Sequence, residues 1–121
     1  MKKENSGESL AAAAKRYIEA HSKERFSLEQ MAGALYVNSS YLARVFKRYV
    51  RMTPLNYHHQ VRCGIAKKLL AETDRSVSEV GETAGFVSSA HFSHVFRKTE
   101  GCSPSEYRMS HKNEDHEETE Q

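Results

Sequence analysis

The sequence predicts an all-α protein of about seven helices, and three observations support this. Apolar residues recur at helical spacing along most of the 121 residues. Serine, threonine and asparagine stand where several of these patterns begin, as helix N-caps do. A segment of 22 residues that begins at Tyr36 returns, with six identities, at Phe86. The sequence therefore predicts a small helical unit that occurs twice. The identical pairs are Val37/Val87, Ser39/Ser89, Val45/Val95, Phe46/Phe96, Pro54/Pro104 and Tyr57/Tyr107.

The first three helices are predicted from apolar stripes and caps. Residues 8–21 are alanine-rich and have an apolar face that includes Leu10. Ser27 followed by Gln30 fits a capping box, in which two side chains satisfy free backbone N–H groups. A third helix is expected after Asn38, a good N-cap residue. Its predicted inward face consists of Leu42, Val45 and Phe46.

A long fourth helix is expected to link the two copies. Pro54 marks its start, because proline fits the first turn of a helix without losing a hydrogen bond. The apolar pattern continues to about Glu72. A helix over residues 54–72 would be about 28 Å long at 1.5 Å per residue. Its predicted inward residues are Tyr57, Val61, Ile65, Ala66 and Leu69.

The second copy repeats the signals of the first. Ser76 and Glu79 form a second capping box, Ser88 caps the next helix, and Gly101 is a natural helix stop. A last short helix is expected through Tyr107. The predicted organisation is a flexible N-terminus (1–7), a first helix-turn-helix subdomain (8–53), a linker helix (54–72), a second helix-turn-helix subdomain (73–109) and an acidic disordered tail (110–121).

Charge and composition narrow the class of protein. From Ser110 onward one lysine faces five acidic residues, so the rest of the chain carries 17 Lys+Arg against 11 Asp+Glu. A basic body favours a nucleic-acid partner without identifying one. No apolar run approaches the roughly 18 residues that a membrane span needs. Cys63 and Cys102 fit no paired-cysteine metal motif, which predicts free thiols in a cytoplasmic protein.

The second helix of each copy, here called the recognition helix, has one apolar face and one face of small polar and basic side chains. A helix that enters the major groove needs such a face, because small residues allow close approach, polar tips reach base edges and cations hold phosphates. In the first copy this face holds Ser39, Ser40, Ala43, Arg44 and Lys47. In the second it holds Ser89, Ala90, Ser93, His94, Arg97 and Lys98.

The most specific motif of the second copy is GFVSSAHFSHVFRKTEGCSPSEYR, from Gly85 to Arg108. The first copy and the linker supply SLEQMAGAL, SSYLARVFKR and TPLNYHHQVRCGIAKKLL. In these motifs, over about residues 8–109, the chain resembles the DNA-binding region of the arabinose-operon regulator (AraC/XylS-type) family. The resemblance implies two helix-turn-helix units joined by one long helix. It also implies sequence-specific binding to double-stranded DNA, and activation of transcription through RNA polymerase rather than repression.

Helical spacing and the resemblance together give the predicted DNA contacts. Base edges would be read by Ser40, Ala43 and Arg44 from the first recognition helix, and by Ser89, Ala90, Ser93 and His94 from the second. Phosphates would be held by Ser39, Lys47, Ser88, His91, Arg97 and Lys98. Successive major grooves on one side of DNA lie about 34 Å apart, so a long linker helix suits two such readers. Since one chain carries both, we expect a monomer on an asymmetric site.

Three residues depart from the family pattern. Gly81 stands where alanine is usual, and glycine within a helix costs about 0.5–1 kcal/mol relative to alanine. Arg51 stands where the second copy has Gly101, so either Arg51 adopts a left-handed backbone or the first recognition helix ends differently. His94 stands at the place of Arg44, and we expect it to read guanine less strongly.

Other classes of protein are less consistent with the sequence. His91 and His94 stand three residues apart, but no further ligands complete a metal site. The sequence contains no glycine-flanked nucleophile and no phosphate loop, the motifs that would indicate an enzyme or a bound cofactor. The alternative function is a helical protein-interaction module that binds an acidic partner. The sequence leaves open whether the chain is a complete small regulator or the terminal part of a longer one. The aromatic residues predicted to be core rather than base-stacking are Phe46, Tyr57, Phe96 and Tyr107.

Overall fold

The computed structural model describes the backbone of residues 6–120 and the side chains of residues 6–112. Within these bounds the chain forms seven α-helices and no strand, which confirms the predicted all-α fold. None of the helices in this part of the chain is both long and apolar enough to cross a membrane. The helices are α1 (Ser6–Ala20), α2 (Leu28–Ala34), α3 (Ser39–Val50), α4 (Pro54–Glu72), α5 (Val77–Ala84), α6 (Ser89–Glu100) and α7 (Pro104–Glu120).

Side-chain caps place the helix starts where the sequence predicts them. Ser27 Oγ accepts the Gln30 N–H at 3.1 Å. Asn38 Oδ1 accepts two N–H groups from the first turn of α3, at 2.8 and 3.1 Å. At α5 the capping box is complete, because Ser76 Oγ accepts the Glu79 N–H and the Glu79 carboxylate accepts the Ser76 N–H. Each cap satisfies N–H groups that a helix start leaves unpaired, so local sequence determines these boundaries.

The chain divides into two compact units, residues 1–61 and 62–121, and the division falls inside α4. The linker helix therefore belongs to both units: Tyr57 packs against the core of the first and Leu70 lies in the core of the second. Because α4 serves two cores, it has no single apolar stripe. Besides apolar residues it buries two polar ones, His58 and Arg62, which the predicted inward face does not include.

The core of the first unit forms where α1 and α2 pack against α3. Ile18, Met31, Leu42 and Phe46 are almost fully buried there. The Tyr57 ring closes this core and meets the Phe46 ring edge-on, with centroids 5.8 Å apart. Aromatic rings prefer this arrangement because the positive edge of one faces the negative face of the other.

The core of the second unit repeats this plan. Val80, Phe92 and Phe96 are fully buried, and the Tyr107 ring meets the Phe96 ring edge-on at 5.7 Å. The equivalent aromatic pairs of the two units thus lie in the two cores. The interpretation of these residues as core rather than base-stacking is confirmed.

The turn between the two helices is one residue longer in the second helix-turn-helix unit than in the first. The Val37 N–H donates to the Ala32 carbonyl at 3.0 Å, and the Phe86 N–H donates to the Gly81 carbonyl at 2.9 Å. These matching hydrogen bonds pair Val37 with Phe86. The constant spacing that pairs Val37 with Val87 is therefore wrong at the turn. Val87 is an extra residue of the second turn, and it is 84% exposed.

The two recognition helices, α3 and α6, end in the same backbone conformation. Arg51 adopts the left-handed region with φ 72°, and Gly101 does so with φ 86°. The N–H groups of both residues donate to the carbonyl four residues earlier, at 3.0 and 2.8 Å. Of the two expectations for Arg51, the left-handed backbone is the one observed. A side chain makes this conformation costly, so the first unit ends its recognition helix less favourably than the second.

The last helix is longer than predicted. The sequence predicts a short helix through Tyr107 and disorder from Ser110 onward, but α7 continues to Glu120. For Ser110 to Lys112 the prediction of disorder is wrong. The reason is local contact, because the His111 ring stacks on the Tyr107 ring with centroids 3.8 Å apart.

Lys112 gives α7 a second local attachment. Its Nζ donates to the Thr73 carbonyl at 3.1 Å and to the Asp74 carboxylate, and this interaction lowers the pKa of the Asp74 carboxyl. The tail beyond Lys112 lies outside the described side chains, so its predicted disorder stays a prediction. Residues 1–5 of the predicted flexible N-terminus also lie outside the described residues, whereas residues 6–7 belong to α1.

Gly81 lies buried where α5 meets α6. A β-carbon at this position would come within 2.6 Å of Cδ2 in the Phe92 ring, closer than a real contact allows. The first unit has Ala32 and the smaller Leu42 at the equivalent places. Glycine here therefore makes room for a larger aromatic side chain, and the cost expected from helix propensity alone does not describe this position.

We predict opposite effects for two Gly→Ala substitutions. Gly81→Ala should lower the free energy of unfolding by about 1–3 kcal/mol, because the new methyl group overpacks the core. Gly64→Ala should raise it by about 0.5–1 kcal/mol, because helix propensity improves at an exposed site where an added β-carbon meets no atom within 4 Å beyond its chain neighbours and the helix's own backbone. Urea denaturation followed by circular dichroism measures both. Equal stabilisation by the two substitutions would contradict the close approach of Phe92.

Candidate nucleic-acid interface

All the predicted contact residues lie at the surface of their units, on the sides of α3 and α6 away from the cores. The apolar residues of the same helices are buried, as predicted. The exposed contact residues are Ser40, Arg44, Lys47, Ser88, Ser89, Ala90, His91, His94, Arg97 and Lys98. The half-buried ones are Ser39, Ala43 and Ser93. Whether each of them touches DNA stays a prediction.

Arg44 lies over a tyrosine of its own helix. Its Cζ is 5.9 Å from the centroid of the Tyr41 ring, within the range of a cation–π interaction. Tyr41 is not among the predicted contacts, although it occupies the place of His91 in the second unit. The Tyr41 ring therefore lies beside the predicted base reader.

Arg48 is a cation that the predicted contacts omit. It is exposed on α3 at the place where α6 has Lys98, and its Cζ lies 5.7 Å from the Tyr49 ring centroid. The repeat pairs Arg48 with Lys98, a predicted phosphate contact, so the sequence already contained the signal that could have added Arg48 to the predicted contacts. The last turn of each recognition helix therefore contains two cations, at the end where the helix dipole favours positive charge.

The start of α6 is held by serine side chains. Ser88 Oγ accepts the His91 N–H at 3.1 Å and caps the helix. Ser89 Oγ lies 2.9 Å from Ser78 Oγ on α5, so these two hydroxyls share a hydrogen bond across the helix-turn-helix unit. Ser88 can still donate its hydroxyl proton to a phosphate, which keeps its predicted contact compatible with its role as a cap.

Arg97 has a carboxylate beside it. Its Nη2 lies 3.9 Å from Oε1 of Glu106, near the start of α7. The Ser103 backbone and side chain, and then the charge of Arg97, lower the pKa of the Glu106 carboxyl. Glu106 is therefore anionic at neutral pH. The first unit has the uncharged Asn56 at the equivalent place, so the second unit presents a more nearly neutral surface around this cation.

A buried cation lies behind the second turn. Arg62 is 6% exposed, and its Cζ is 5.4 Å from the centroid of the Phe86 ring. Burial lowers the pKa of its guanidinium. The same ring meets His91 edge-on, with centroids 5.8 Å apart. The apolar pattern of α4 does not predict this contact between Arg62 and Phe86, because it gives no reason to expect a charged residue on the buried side of the helix.

Residues 31–110 match the model of a helix-turn-helix domain. The geometry of α2–α3 and α5–α6 agrees with this match, since each pair is a short helix, a tight turn and a helix with an exposed basic face. The chain belongs to the AraC-type helix-turn-helix family. Among the described residues of this AraC-type domain, no group of three or more His, Cys, Asp or Glu is arranged to hold a metal ion.

Relatives and solved structures support the assignment. An uncharacterised HTH-type transcriptional regulator of Bacillus subtilis, YisR, is 35% identical over 101 residues, which cover 84% of this chain and 35% of that protein. An AraC-type DNA-binding protein from Chromobacterium violaceum is 30% identical with a TM-score of 0.79, covering 86% of this chain and 93% of that one.

The third comparison includes nucleic acid. The DNA-binding domain of AdpA, a global transcriptional factor solved in complex with a target DNA, is 29% identical with a TM-score of 0.78. The match covers 86% of this chain and 94% of that domain. This AraC-type chain spans about a third of the length of the curated relative YisR, but most of each of these two solved structures.

Proposed function

We propose that this chain binds a specific site on double-stranded DNA through α3 and α6, as the DNA-binding part of a transcription regulator. The observation that carries the proposal is the parallel design of two surfaces. Each recognition helix buries three apolar residues, has small residues in its first half, and carries cations in its last turn. The structural likeness to a domain solved on its target DNA supports the proposal.

The proposed roles follow from side-chain chemistry. Arg44 and His94 occupy equivalent exposed positions on α3 and α6, where a major-groove helix points at base edges. Lys47, Arg97 and Lys98 flank them and suit phosphates. We add Arg48 to the phosphate anchors, because it matches Lys98.

The proposed regulatory role is activation of transcription by contact with RNA polymerase, in the cytoplasm, and it rests on the family resemblance. If the chain is part of a regulator as long as YisR, a domain that senses a signal would lie outside the residues described above. The rival, a protein-interaction module for an acidic partner, predicts binding to any polyanion. A mobility shift with a selected duplex, a shuffled duplex and heparin separates the two, because only the DNA reader prefers the selected sequence.

We predict a steep salt dependence of duplex binding. If about six cations bind phosphates, log K should fall against log salt concentration with a slope near −5, at about −0.9 per phosphate neutralised. Removing one anchor by Arg97→Ala should reduce the slope by about one unit. Fluorescence anisotropy titrations at several salt concentrations measure the slope. A slope shallower than about −2 would exclude contacts from both units, since a single unit explains that value.

The two recognition helices should differ in how strongly they read sequence. Arg44 has a planar fork that binds both acceptors of a guanine edge, and such a pair discriminates by about 1–3 kcal/mol. Neutral histidine offers one donor and one acceptor, so His94 should discriminate less. We expect Arg44→Ala to relax specificity strongly at one base pair, and His94→Ala to do so weakly in the opposite half of the site.

Titration of both variants at pH 8 against all single-base variants of a selected site tests this difference. A larger loss for His94→Ala would assign the dominant reader to α6 instead of α3.

One chain should fill a minimal site of about two DNA turns, because both readers belong to the same chain. Sedimentation velocity of the complex with such a duplex should give the mass of one protein per DNA. A complex that forms only with two chains would refute the monomeric explanation of the internal repeat.

A further inference from the structure

One residue of the turn between α2 and α3 has an unusual backbone. Tyr36 lies in the left-handed region with φ 61°. Gly85 occupies the equivalent place in the second unit, where φ is 104°. The pairing follows from matching hydrogen bonds, because each N–H donates to the carbonyl three residues earlier, Tyr36 to Gly33 at 3.2 Å and Gly85 to Glu82 at 3.0 Å. The turn of both units therefore needs a left-handed residue at this position.

Tyrosine is poorly suited to this conformation. A β-carbon lies too close to the following carbonyl oxygen in the left-handed region, whereas glycine has no β-carbon and adopts this region freely. Packing does not compensate, since the Tyr36 side chain is 93% exposed. The fold of the first unit thus gains nothing from the phenol ring that glycine would not provide with less strain. Strained residues of this kind cluster at functional sites, where a contact outside the chain compensates for the strain.

The position of Tyr36 indicates which contact that is. Asn38, two residues later, caps α3, and Ser39 and Ser40 begin the helix. Helix-turn-helix proteins dock the N-terminal end of the recognition helix against base edges, so the residues just before it lie where the sugar–phosphate backbone borders the groove. Tyrosine hydroxyls are among the regular donors to DNA phosphates. An exposed phenol at this end of α3 therefore suits a phosphate oxygen.

We propose that the Tyr36 hydroxyl donates a hydrogen bond to a phosphate at the edge of the major groove that α3 enters. The proposal rests on the proposed function and adds a contact that helical periodicity does not predict, because Tyr36 belongs to the turn and not to the exposed face of a helix. The contact is specific to the first unit, since Gly85 has no side chain that could make it. A neutral donor of this kind fixes the position of α3 on the duplex without reading bases.

The test removes the hydroxyl alone. Tyr36→Phe keeps the ring and the backbone conformation, and it should weaken binding to the selected duplex by roughly tenfold, as expected for a hydrogen bond to a charged group. The loss should be equal on the selected site and on its single-base variants, because a phosphate contact carries no sequence information. The salt slope should stay unchanged, because a neutral hydroxyl neutralises no phosphate. Fluorescence anisotropy titrations measure all three quantities.

Two further variants separate the contact from the fold. Tyr17→Phe removes a hydroxyl from α1, where the ring stacks on His21, and should leave duplex affinity unchanged. Tyr36→Gly should raise the urea concentration at the unfolding midpoint, because the strain is relieved, and should weaken duplex binding at least as much as Tyr36→Phe. A gain in stability together with a loss of affinity is a result that a purely structural role of Tyr36 does not produce.

The possible results distinguish this contact from duplex binding as such. Unchanged affinity of Tyr36→Phe for a duplex that the wild-type chain binds would overturn the contact and leave the proposed function standing. A loss that varies with the base sequence, or a lower unfolding midpoint for Tyr36→Gly, would also overturn it, in favour of a base contact or of a role in packing. Reduced transcription with RNA polymerase at unchanged duplex affinity would assign Tyr36 to a protein partner instead. If the wild-type chain prefers no duplex, the proposed function fails and the contact fails with it.

Discussion

Burial of three apolar side chains on each recognition helix is the constraint on which the rest of this structure depends. Leu42, Val45 and Phe46 are the buried residues of α3. Leu42 and Phe46 join the core that α3 forms with α1 and α2, and the Phe46 ring meets Tyr57 at the start of α4. Since side chains on a helix are fixed about its axis at 100° intervals, burying one side determines which residues face outward. Because the apolar side of each recognition helix is buried, its serine, alanine and basic residues face outward, and no other helix is needed to orient them.

The caps and the core could be predicted because their causes are local. Ser27, Asn38, Ser76 and Ser88 lie next to the N–H groups that they satisfy, and the bounds of α4 follow from Pro54 and the end of the apolar pattern. These features need only the periodicity of a helix and the chemistry of its ends.

The features that the sequence did not predict depend on contacts between elements. The hydrogen bonds of Val37 and Phe86 show the extra residue in the second turn, and the 49-residue spacing of the caps Ser27 and Ser76 was the available signal for it. The fit of Gly81 against Phe92 contradicts a propensity argument that considers α5 alone. The pairing of Arg97 with Glu106 joins two helices whose separation no pattern within either of them specifies. The predicted contact residues lie at the surface, but surface position alone does not determine which of them touch a base and which a phosphate.

The two units have separate cores, and this has a consequence for how such a protein changes over generations. A substitution that disturbs the packing around Phe96 acts on a different set of neighbours from one around Phe46. A substitution in the core of one unit therefore leaves the packing of the other core unchanged. One surface can drift toward a new sequence preference while the other keeps its old one. The two copies already differ in this way, in Arg44 against His94 and in the extra Val87.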